Sequence, residues 1–294
     1  MIRSTPSKTT EIMSLLATPT LSDNNPHLAN PFWAATHAKE LKDSMHSASY
    51  IQQSIFGLPS DFEKKIEYEC FLFHSPKEVV SGDFYWSYKI LDKLIVIVGD
   101  CTGHGIPGAL LTIFAHSALY KTVVEARITD PGEILTKVSA LFSETFALKK
   151  AVTGIGMDAS VCVIDTRTKK LEFAGAGNPV WITRDNDLLE IKGDRFSVGS
   201  YYESPVKFTT QRIALRENDA IYLFTDGYED QFGGNQTTNF GGKKFLKKRF
   251  KKTVWSMSDL SMDQQKINLA LTLDDWKKDF EQIDDVCVLG LKIS

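Results

Sequence analysis

The chain has 294 residues, of which 43% are hydrophobic and 24% are charged, as in an ordinary globular protein. Its 34 basic and 37 acidic residues give a net charge of −3, which argues against a dedicated nucleic-acid-binding protein. The four cysteines are too far apart for a zinc site and too few for a disulfide scaffold. No apolar stretch reaches the roughly 20 residues of a membrane span. We therefore expect a cytoplasmic protein with reduced thiols that binds neither nucleic acid nor membrane.

The N-terminal region divides into two predicted segments. Residues 1–31 contain 16 Ser, Thr, Pro or Asn residues, a composition that predicts a flexible low-complexity tail. Residues 32–57 then carry apolar side chains at a 4-3 spacing from Ala34 to Ile55, with Gln52 at the one polar position. This narrow stripe predicts an amphipathic helix. Such a helix either packs on its own domain or forms a homodimer through residues 33–55.

Residues 58–294 read as one domain in which strands and helices alternate. Short β-rich runs surround two long predicted helices, Pro107–Glu125 and Gly132–Leu148, and two more helices are predicted at Lys243–Trp255 and Ser261–Lys278. The strand runs are Tyr68–Phe73, Leu94–Val98, Ala159–Ile164, Leu171–Ala174, Val180–Thr183, Ala220–Phe224 and Val286–Ile293. The pattern predicts an α+β fold, a layered β-sandwich flanked by helices.

Aspartates stand beside the runs that read as buried strands. They are Asp83 in Ser-Gly-Asp-Phe-Tyr-Trp, Asp100 after Leu94–Gly99, Asp226 after Ile221–Thr225, and Asp284 and Asp285 before Val286–Gly290. A carboxylate beside a buried strand is unfavourable unless it is paired or binds a cation. Mg2+ and Mn2+ prefer oxygen ligands, whereas zinc prefers His and Cys. The pattern therefore predicts a site for hard divalent cations, and two such ions can activate water for attack on a phosphoryl group.

Two glycine-rich segments are weaker signals. The segment from Asp100 to Gly108 leads from a strand into a helix, where glycines allow backbone groups to approach an ion. It lacks the Gly-Lys-Ser/Thr sequence of a nucleotide-binding P-loop. The second segment, Gly175–Pro179, predicts a hairpin turn between the strands on either side of it.

The order of the motifs SGDFYW, GDCTGHGIPGALL, GAGNPVW, FTDGYEDQFGG and DDVCVLGLKI resembles the SpoIIE/RsbU branch of the PPM metal-dependent serine/threonine protein phosphatases. The resemblance covers about residues 50–294. It implies a β-sandwich flanked by helices, with a two-metal site at one edge that holds Mn2+ or Mg2+ and has room for a third ion.

Carried over residue by residue, the resemblance implies the ligands of that site. Asp100 would bridge both ions, and the backbone carbonyl of Cys101 would complete one coordination shell. The remaining metal-binding carboxylates would be Asp226 and Asp284, with Asp285 as the alternative to Asp284. Asp83 would lie at the same site, directly or through water.

Two further residues carry open alternatives. Asp158 precedes a predicted strand and is either a ligand for a third ion or the substrate, or simply a strand-initiating residue. His104 resembles the general acid of eukaryotic members but is offset by the inserted Thr102-Gly103. A structural hydrogen bond is the alternative for His104.

The activity implied is hydrolysis of a phosphoserine or phosphothreonine ester by a metal-bridging hydroxide, with no protein nucleophile. By the same resemblance, the substrate is a phosphorylated STAS-type anti-anti-sigma protein in a bacterial partner-switching pathway. A catalytically weak or inactive phosphoprotein-binding scaffold of the same fold is the alternative.

Two segments in the C-terminal third are predicted to lie at the surface. Residues 243–252 contain seven Lys or Arg residues, with apolar side chains at helical spacing on one face. They predict an exposed charged helix, with a docking surface for an acidic protein as the alternative. The glycine-rich residues 231–242 predict a mobile loop over the metal site, or an ordinary surface loop.

Overall fold

The computed structural model describes residues 31–146, 154–199, 206–234 and 242–294. The predicted tail, apart from Pro31, and most of the predicted loop at 231–242 lie outside the described residues. The chain falls into two units, Met1–Ser44 and Met45–Ser294. Helix α1, Pro31–Phe56, begins in the first unit and ends in the second. None of the described helices is both long enough and apolar enough to cross a bilayer.

Helix α1 confirms the amphipathic helix predicted at residues 32–57. Within the second unit, Met45, Ala48 and Ile55 are half-buried and Gln52 is buried, whereas Tyr50 and Ile51 are exposed. The 4-3 stripe therefore packs on its own domain over this stretch. Pro59 is the first residue of the short helix α2, Pro59–Lys65, in keeping with the preference of proline for the first helical turn.

Two five-stranded antiparallel sheets form the centre of the second unit, which confirms the predicted α+β sandwich. The first sheet has the order β1-β12-β9-β6-β7, and the second has the order β2-β3-β4-β5-β8. The strands of the first sheet are β1 Glu69–Ser75, β6 Val180–Arg184, β7 Asp187–Ile191, β9 Ala220–Phe224 and β12 Val286–Lys292. Those of the second are β2 Asp83–Ile90, β3 Lys93–Cys101, β4 Met157–Asp165, β5 Lys170–Ala176 and β8 Gln211–Ala214.

Helices cover the outer face of each sheet. The second sheet packs against α3 Gly105–Leu119, a π-helical turn Tyr120–Glu125 and α4 Pro131–Phe146, and the first against α6 Lys247–Ser256 and α7 Met262–Lys277. Along the chain between β9 and α6 come the four-residue helix α5 Gly227–Asp230 and a pair of two-residue strands, β10 Phe232–Gly233 and β11 Lys243–Lys244.

Strand β3 shows why the sandwich has three apolar layers. Successive side chains of a strand point to opposite faces, so Ile95 and Ile97 pack under the helices while Leu94, Val96 and Val98 fill the space between the sheets. Both faces of the strand are therefore buried, which explains its continuous apolar run.

Two local predictions were wrong. The segment Gly175–Pro179 is not a hairpin turn, because β5 belongs to the second sheet and β6 to the first, so the chain crosses between sheets there. Residues Lys243 and Lys244 do not begin a helix but form β11, and α6 starts at Lys247.

Candidate metal centre

Three aspartates lie side by side on the inner face of the second sheet. Asp83 pairs with Asp100 across β2 and β3, and Asp100 pairs with Asp158 across β3 and β4. Directly opposed residues of antiparallel strands share a face, with Cβ atoms about 4.5–5.5 Å apart. The beginnings of β2 and β4 and the end of β3 meet at one edge of the sandwich, so residues 75 positions apart in the chain become neighbours.

The first sheet brings its own aspartates to the same edge. Asp226 comes two residues after the end of β9, and Asp284 comes two residues before the start of β12, the antiparallel partner of β9. Thr225 connects the two sheets: its Oγ1 donates to Asp83 Oδ2 at 2.6 Å and accepts from the Cys287 amide at 2.9 Å. The aspartates of both sheets therefore face one another across the end of the interior.

Asp284 and Asp285 have different surroundings. Asp285 is buried, and its two carboxylate oxygens accept from the backbone amides of Lys77 and Gly82, each at 2.7 Å. Asp284 accepts from the Asp285 amide at 2.9 Å and lines an open cavity. Asp285 thus holds the segment that leads into β2, while Asp284 offers its remaining oxygen to the cavity.

The cavity has a volume of about 260 Å3 and lies over the loop between β3 and α3. Its lining includes Asp100, Asp158 and Asp284 together with the loop residues Cys101, Thr102, Gly103 and His104, and Met157 and Ser197 complete it. Gly103 has a φ of +86°, a backbone conformation that favours glycine. The structure therefore places Asp100, Asp158, Asp284, Cys101 and His104 around one cavity, with Asp83 buried behind Asp100 and Asp226 beside it.

The aspartates are close enough to disfavour one another's ionisation. Burial, together with the charges of Asp226, Asp284 and Asp158, raises the pKa of Asp100 to about 8. Burial and then Asp100 hold the pKa of Asp83 well above its ordinary value, against the opposing hydrogen bond from Thr225. Burial likewise raises the pKa values of Asp226, Asp284 and Asp158. No lysine or arginine in the described ranges forms an ion pair with any of these five carboxylates.

Asp158 has a further sign of a missing partner. Its Oδ1 atom is buried and has no hydrogen-bond partner in the described part of the chain. The space beside it is kept open by Gly177, where a side chain would collide with the Asp158 carboxylate. A buried carboxylate oxygen normally has a partner, so Asp158 is suited to binding a ligand.

His104 lies at the mouth of the cavity, at the residue preceding α3. Its Nδ1 is 2.8 Å from Glu78 Oε1, and its Nε2 is 3.1 Å from the Lys77 ammonium. The imidazole is about half exposed. The hydrogen bond expected as the alternative is present, and the same ring also faces the cavity, so the two roles considered for His104 are compatible.

The donor set fits hard divalent cations. Clustered carboxylates without a compensating cation, one of them with an orphaned oxygen, are the groups that Mg2+ or Mn2+ would bind. Among the described residues, no three His, Cys, Asp or Glu side chains already converge on a single point. Side-chain rotations would therefore accompany binding. Cys101 is buried, and burial raises the pKa of its thiol, so it is not an activated nucleophile.

Sequence reasoning missed Thr225, Glu78 and Lys77. Thr225 immediately precedes Asp226 in the motif Phe-Thr-Asp-Gly, and that adjacency was the one available signal. The contacts of Glu78 and Lys77 with His104 join residues 26 and 27 positions apart, which no local pattern reveals.

Known bacterial proteins are similar to this chain in sequence and in fold. Two curated relatives from Bacillus subtilis (strain 168), the phosphoserine phosphatases RsbP and RsbU, are each 21% identical to this chain. The aligned regions cover 54% and 64% of this chain but only 39% and 54% of those proteins. The solved structure of the SiaA-PP2C domain of Pseudomonas aeruginosa is 28% identical, with a TM-score of 0.79 over 88% of this chain and all of that domain.

A longer part of the chain matches a known protein family. Residues 92–294 match the family described as Stage II sporulation protein E (SpoIIE), and this range contains every candidate ligand except Asp83. More than two thirds of the chain is therefore matched. The chain belongs to the SpoIIE family.

Proposed function

We propose that this chain is a serine/threonine phosphoprotein phosphatase that depends on Mg2+ or Mn2+. The main observation behind the proposal is the row of Asp83, Asp100 and Asp158 on one sheet, which faces Asp226 and Asp284 of the other sheet. No lysine or arginine among the described residues forms an ion pair with these carboxylates. The phosphoserine phosphatase names of RsbP and RsbU support the reaction class. Because this chain spans about half or less of those relatives, its activity is proposed here on the site and the family together.

In the proposed centre, the carboxylates of Asp100, Asp226 and Asp284 and the carbonyl of Cys101 would hold the ions. Asp83, held by Thr225, supports Asp100 from behind, directly or through water. Asp158 would hold a third ion or contact the substrate. When bound, the ions supply an activated water and neutralise charge on the phosphoryl group.

His104 is the proposed proton donor to the leaving serine oxygen. Glu78 fixes the ring through Nδ1, which directs Nε2 away from Glu78. A proton on Nε2 would have to displace the contact with the Lys77 ammonium, because both groups would then be donors. The three side chains therefore form a unit that changes partner when substrate enters.

The proposed substrate is a phosphorylated STAS-type protein in a bacterial partner-switching pathway, which the relationship to RsbU and RsbP supports. We also propose homodimerisation through residues 33–55, by the exposed Tyr50 and Ile51, since the apolar stripe from Met45 to Ile55 packs within the domain. The four free cysteines suit the cytoplasm as the place of action.

The test is hydrolysis of p-nitrophenyl phosphate with and without Mn2+, for the wild-type chain and Asp100→Asn. We expect metal-dependent turnover that falls at least about 100-fold in the variant, since a carboxylate that would hold the ions is lost. Absence of metal-dependent turnover in the wild type would favour the alternative, a phosphoprotein-binding scaffold. Turnover unchanged by Asp100→Asn would contradict the proposed centre.

A further inference from the structure

The structure separates the cations of residues 243–252 into two groups. The first group is engaged within the protein. Lys244 pairs with Asp230 at 2.8 Å, and Lys247 and Lys251 both pair with Glu190, at 2.9 and 2.6 Å. The Arg249 guanidinium lies 4.1 Å from the centre of the Trp276 ring and donates to the Phe245 carbonyl. These four cations hold α6 in place.

The second group is Lys243, Lys248 and Lys252, which are exposed and form no ion pair with any residue of the described ranges. Lys248 and Lys252 are four residues apart and therefore share one face of α6. Two large apolar side chains accompany them, Leu246 at 59% and Trp255 at 46% exposure. These five residues, Lys243, Leu246, Lys248, Lys252 and Trp255, are called the basic helix surface.

One end of the basic helix surface contacts the segment that follows Asp226. The amide of Leu246 donates to the Glu229 carbonyl at 2.7 Å, three residues after Asp226. The charge of Lys244 is near enough to lower the pKa of Asp226, against the larger effect of burial. At its other end, the Trp255 indole donates to the Asn186 carbonyl, beyond the end of β6 that is remote from the centre. A ten-residue helix such as α6 is about 15 Å long.

We propose that the basic helix surface binds an acidic segment of the phosphoprotein substrate while the phosphoserine lies at the metal centre. The inference rests on the proposed function and adds a substrate class to it. Three unpaired lysines attract carboxylates, and the two apolar side chains among them suit a protein chain. Nucleic acid is disfavoured because the chain as a whole carries a net charge of −3 and the surface offers only three free cations.

The length of α6 limits where the acidic residues can be. An extended peptide advances about 3.3–3.6 Å per residue, so about four residues are needed to span about 15 Å. Acidic residues adjacent to the phosphoserine would instead lie over the carboxylates of the centre and be repelled. We therefore expect the preferred acids at about two to five residues from the phosphoserine.

The experiment compares two synthetic phosphoserine peptides as substrates. One has glutamates at positions two to five on both sides of the phosphoserine, and the other has glutamines there. At low salt we expect kcat/KM to be about fivefold to tenfold higher for the glutamate peptide. The preference should disappear in Lys248→Glu/Lys252→Glu and decline with added salt. An equal kcat/KM for both peptides, or a preference that survives the double variant, would overturn the proposal.

The control variant is Lys121→Glu/Lys137→Glu, which makes the same charge change at exposed lysines on the layer of helices that covers the other sheet. It should keep the glutamate preference. Both double variants should hydrolyse p-nitrophenyl phosphate as the wild type does, because neither changes a residue of the metal centre. Loss of the glutamate preference in both would indicate a general charge effect and contradict a specific surface.

A binding measurement keeps the inference independent of turnover. Fluorescence anisotropy with the unphosphorylated, labelled glutamate peptide should give a Kd at least about fivefold lower than with the glutamine peptide, and only in proteins that retain Lys248 and Lys252. If p-nitrophenyl phosphate is not hydrolysed but this difference is seen, the proposed function fails and the docking surface stands. Tighter binding of a 12-nucleotide single-stranded DNA than of the glutamate peptide would overturn the choice of partner.

Discussion

Asp284 and Asp285 are adjacent in the chain yet use their carboxylates differently. Both Asp285 oxygens are taken by backbone amides of the segment before β2, whereas Asp284 faces the cavity among other unpaired carboxylates. The sequence alone does not choose between them, because both precede the same buried strand. What distinguishes them is the long-range contact with residues 77 and 82, and only the folded chain provides it.

The two asparagine variants should therefore behave oppositely. Asp285→Asn replaces one acceptor with a donor and leaves a buried amide unpaired, so we expect the free energy of unfolding to fall by about 1–3 kcal/mol. Asp284→Asn removes one of several repelling charges, so stability in metal-free buffer should hold or rise. The Mn2+ concentration for half-maximal turnover should instead increase. Urea unfolding and metal titration measure the two effects, and the reverse pattern would assign the metal ligand to Asp285.

Helix α1 shows what a pattern can and cannot predict at the scale of an element. The 4-3 spacing predicted the helix and its apolar stripe, with Gln52 at the one polar position. In the structure the amide of Gln52 donates to the Ser81 carbonyl at 2.7 Å and to Thr112 Oγ1 at 3.0 Å, and it accepts from the Ser81 amide at 3.1 Å. Gln52, the one polar residue of the stripe, therefore attaches α1 to Ser81, which lies two residues before Asp83.

We expect Gln52→Ala to lower the free energy of unfolding by about 2–4 kcal/mol, because buried groups of Ser81 lose their partners. Gln53→Ala, at an exposed neighbour whose side chain contacts Ser49 on the same helix, should change it by less than about 0.5 kcal/mol. Urea unfolding of the pair gives the comparison. Hydrogen exchange at the Ser81 amide should accelerate only in the Gln52 variant, and equal effects of both substitutions would argue against the contact.

Glu190 of β7 pairs with two lysines of α6. Burial opposes ionisation of Glu190, but the hydrogen bonds and charges of Lys251 and Lys247 outweigh it and lower its pKa to about 2 from 4.5. The ionised form therefore stabilises the fold above about pH 4.5, and this contribution is lost as the pH falls toward about 2. Glu190→Gln should reduce stability at neutral pH by about 1 kcal/mol. It should also lose less stability than the wild type between about pH 5 and about pH 3, which thermal melts at both pH values would show.

At the scale of the whole molecule, the class of fold was predictable and the connections between sheets were not. Apolar runs of strand length with two helices between them indicated a sandwich. The segment Gly175–Pro179 shows the limit, because turn residues specify that the chain reverses but not which sheet the next strand joins. Strand β2 was missed as well, since both Phe84 and Tyr85 are buried and the alternation typical of strands is obscured there.

The proposed homodimer is a prediction at this scale. If residues 33–55 pair two chains, sedimentation equilibrium should give twice the chain mass of 32.9 kDa. Tyr50→Glu/Ile51→Glu, which places charges on the exposed face of α1, should give the monomer mass with an unchanged melting temperature. Lys121→Glu/Lys137→Glu serves as the matched control and should remain a dimer. A monomeric wild type at micromolar concentration would remove the dimer from the proposal.

The pairing of β1 with β12 has a consequence for how the protein acquires activity. These strands are the first and the last of the domain, and Asp285 reaches back 203 residues to the Gly82 amide. Contacts of such separation form late, because the entropy of closing the long loop is lost before they contribute. Intermediates that contain only one sheet would hold at most three of the five carboxylates. Competence to bind metal is thus a property of the finished fold, and on refolding it should appear with the last kinetic phase.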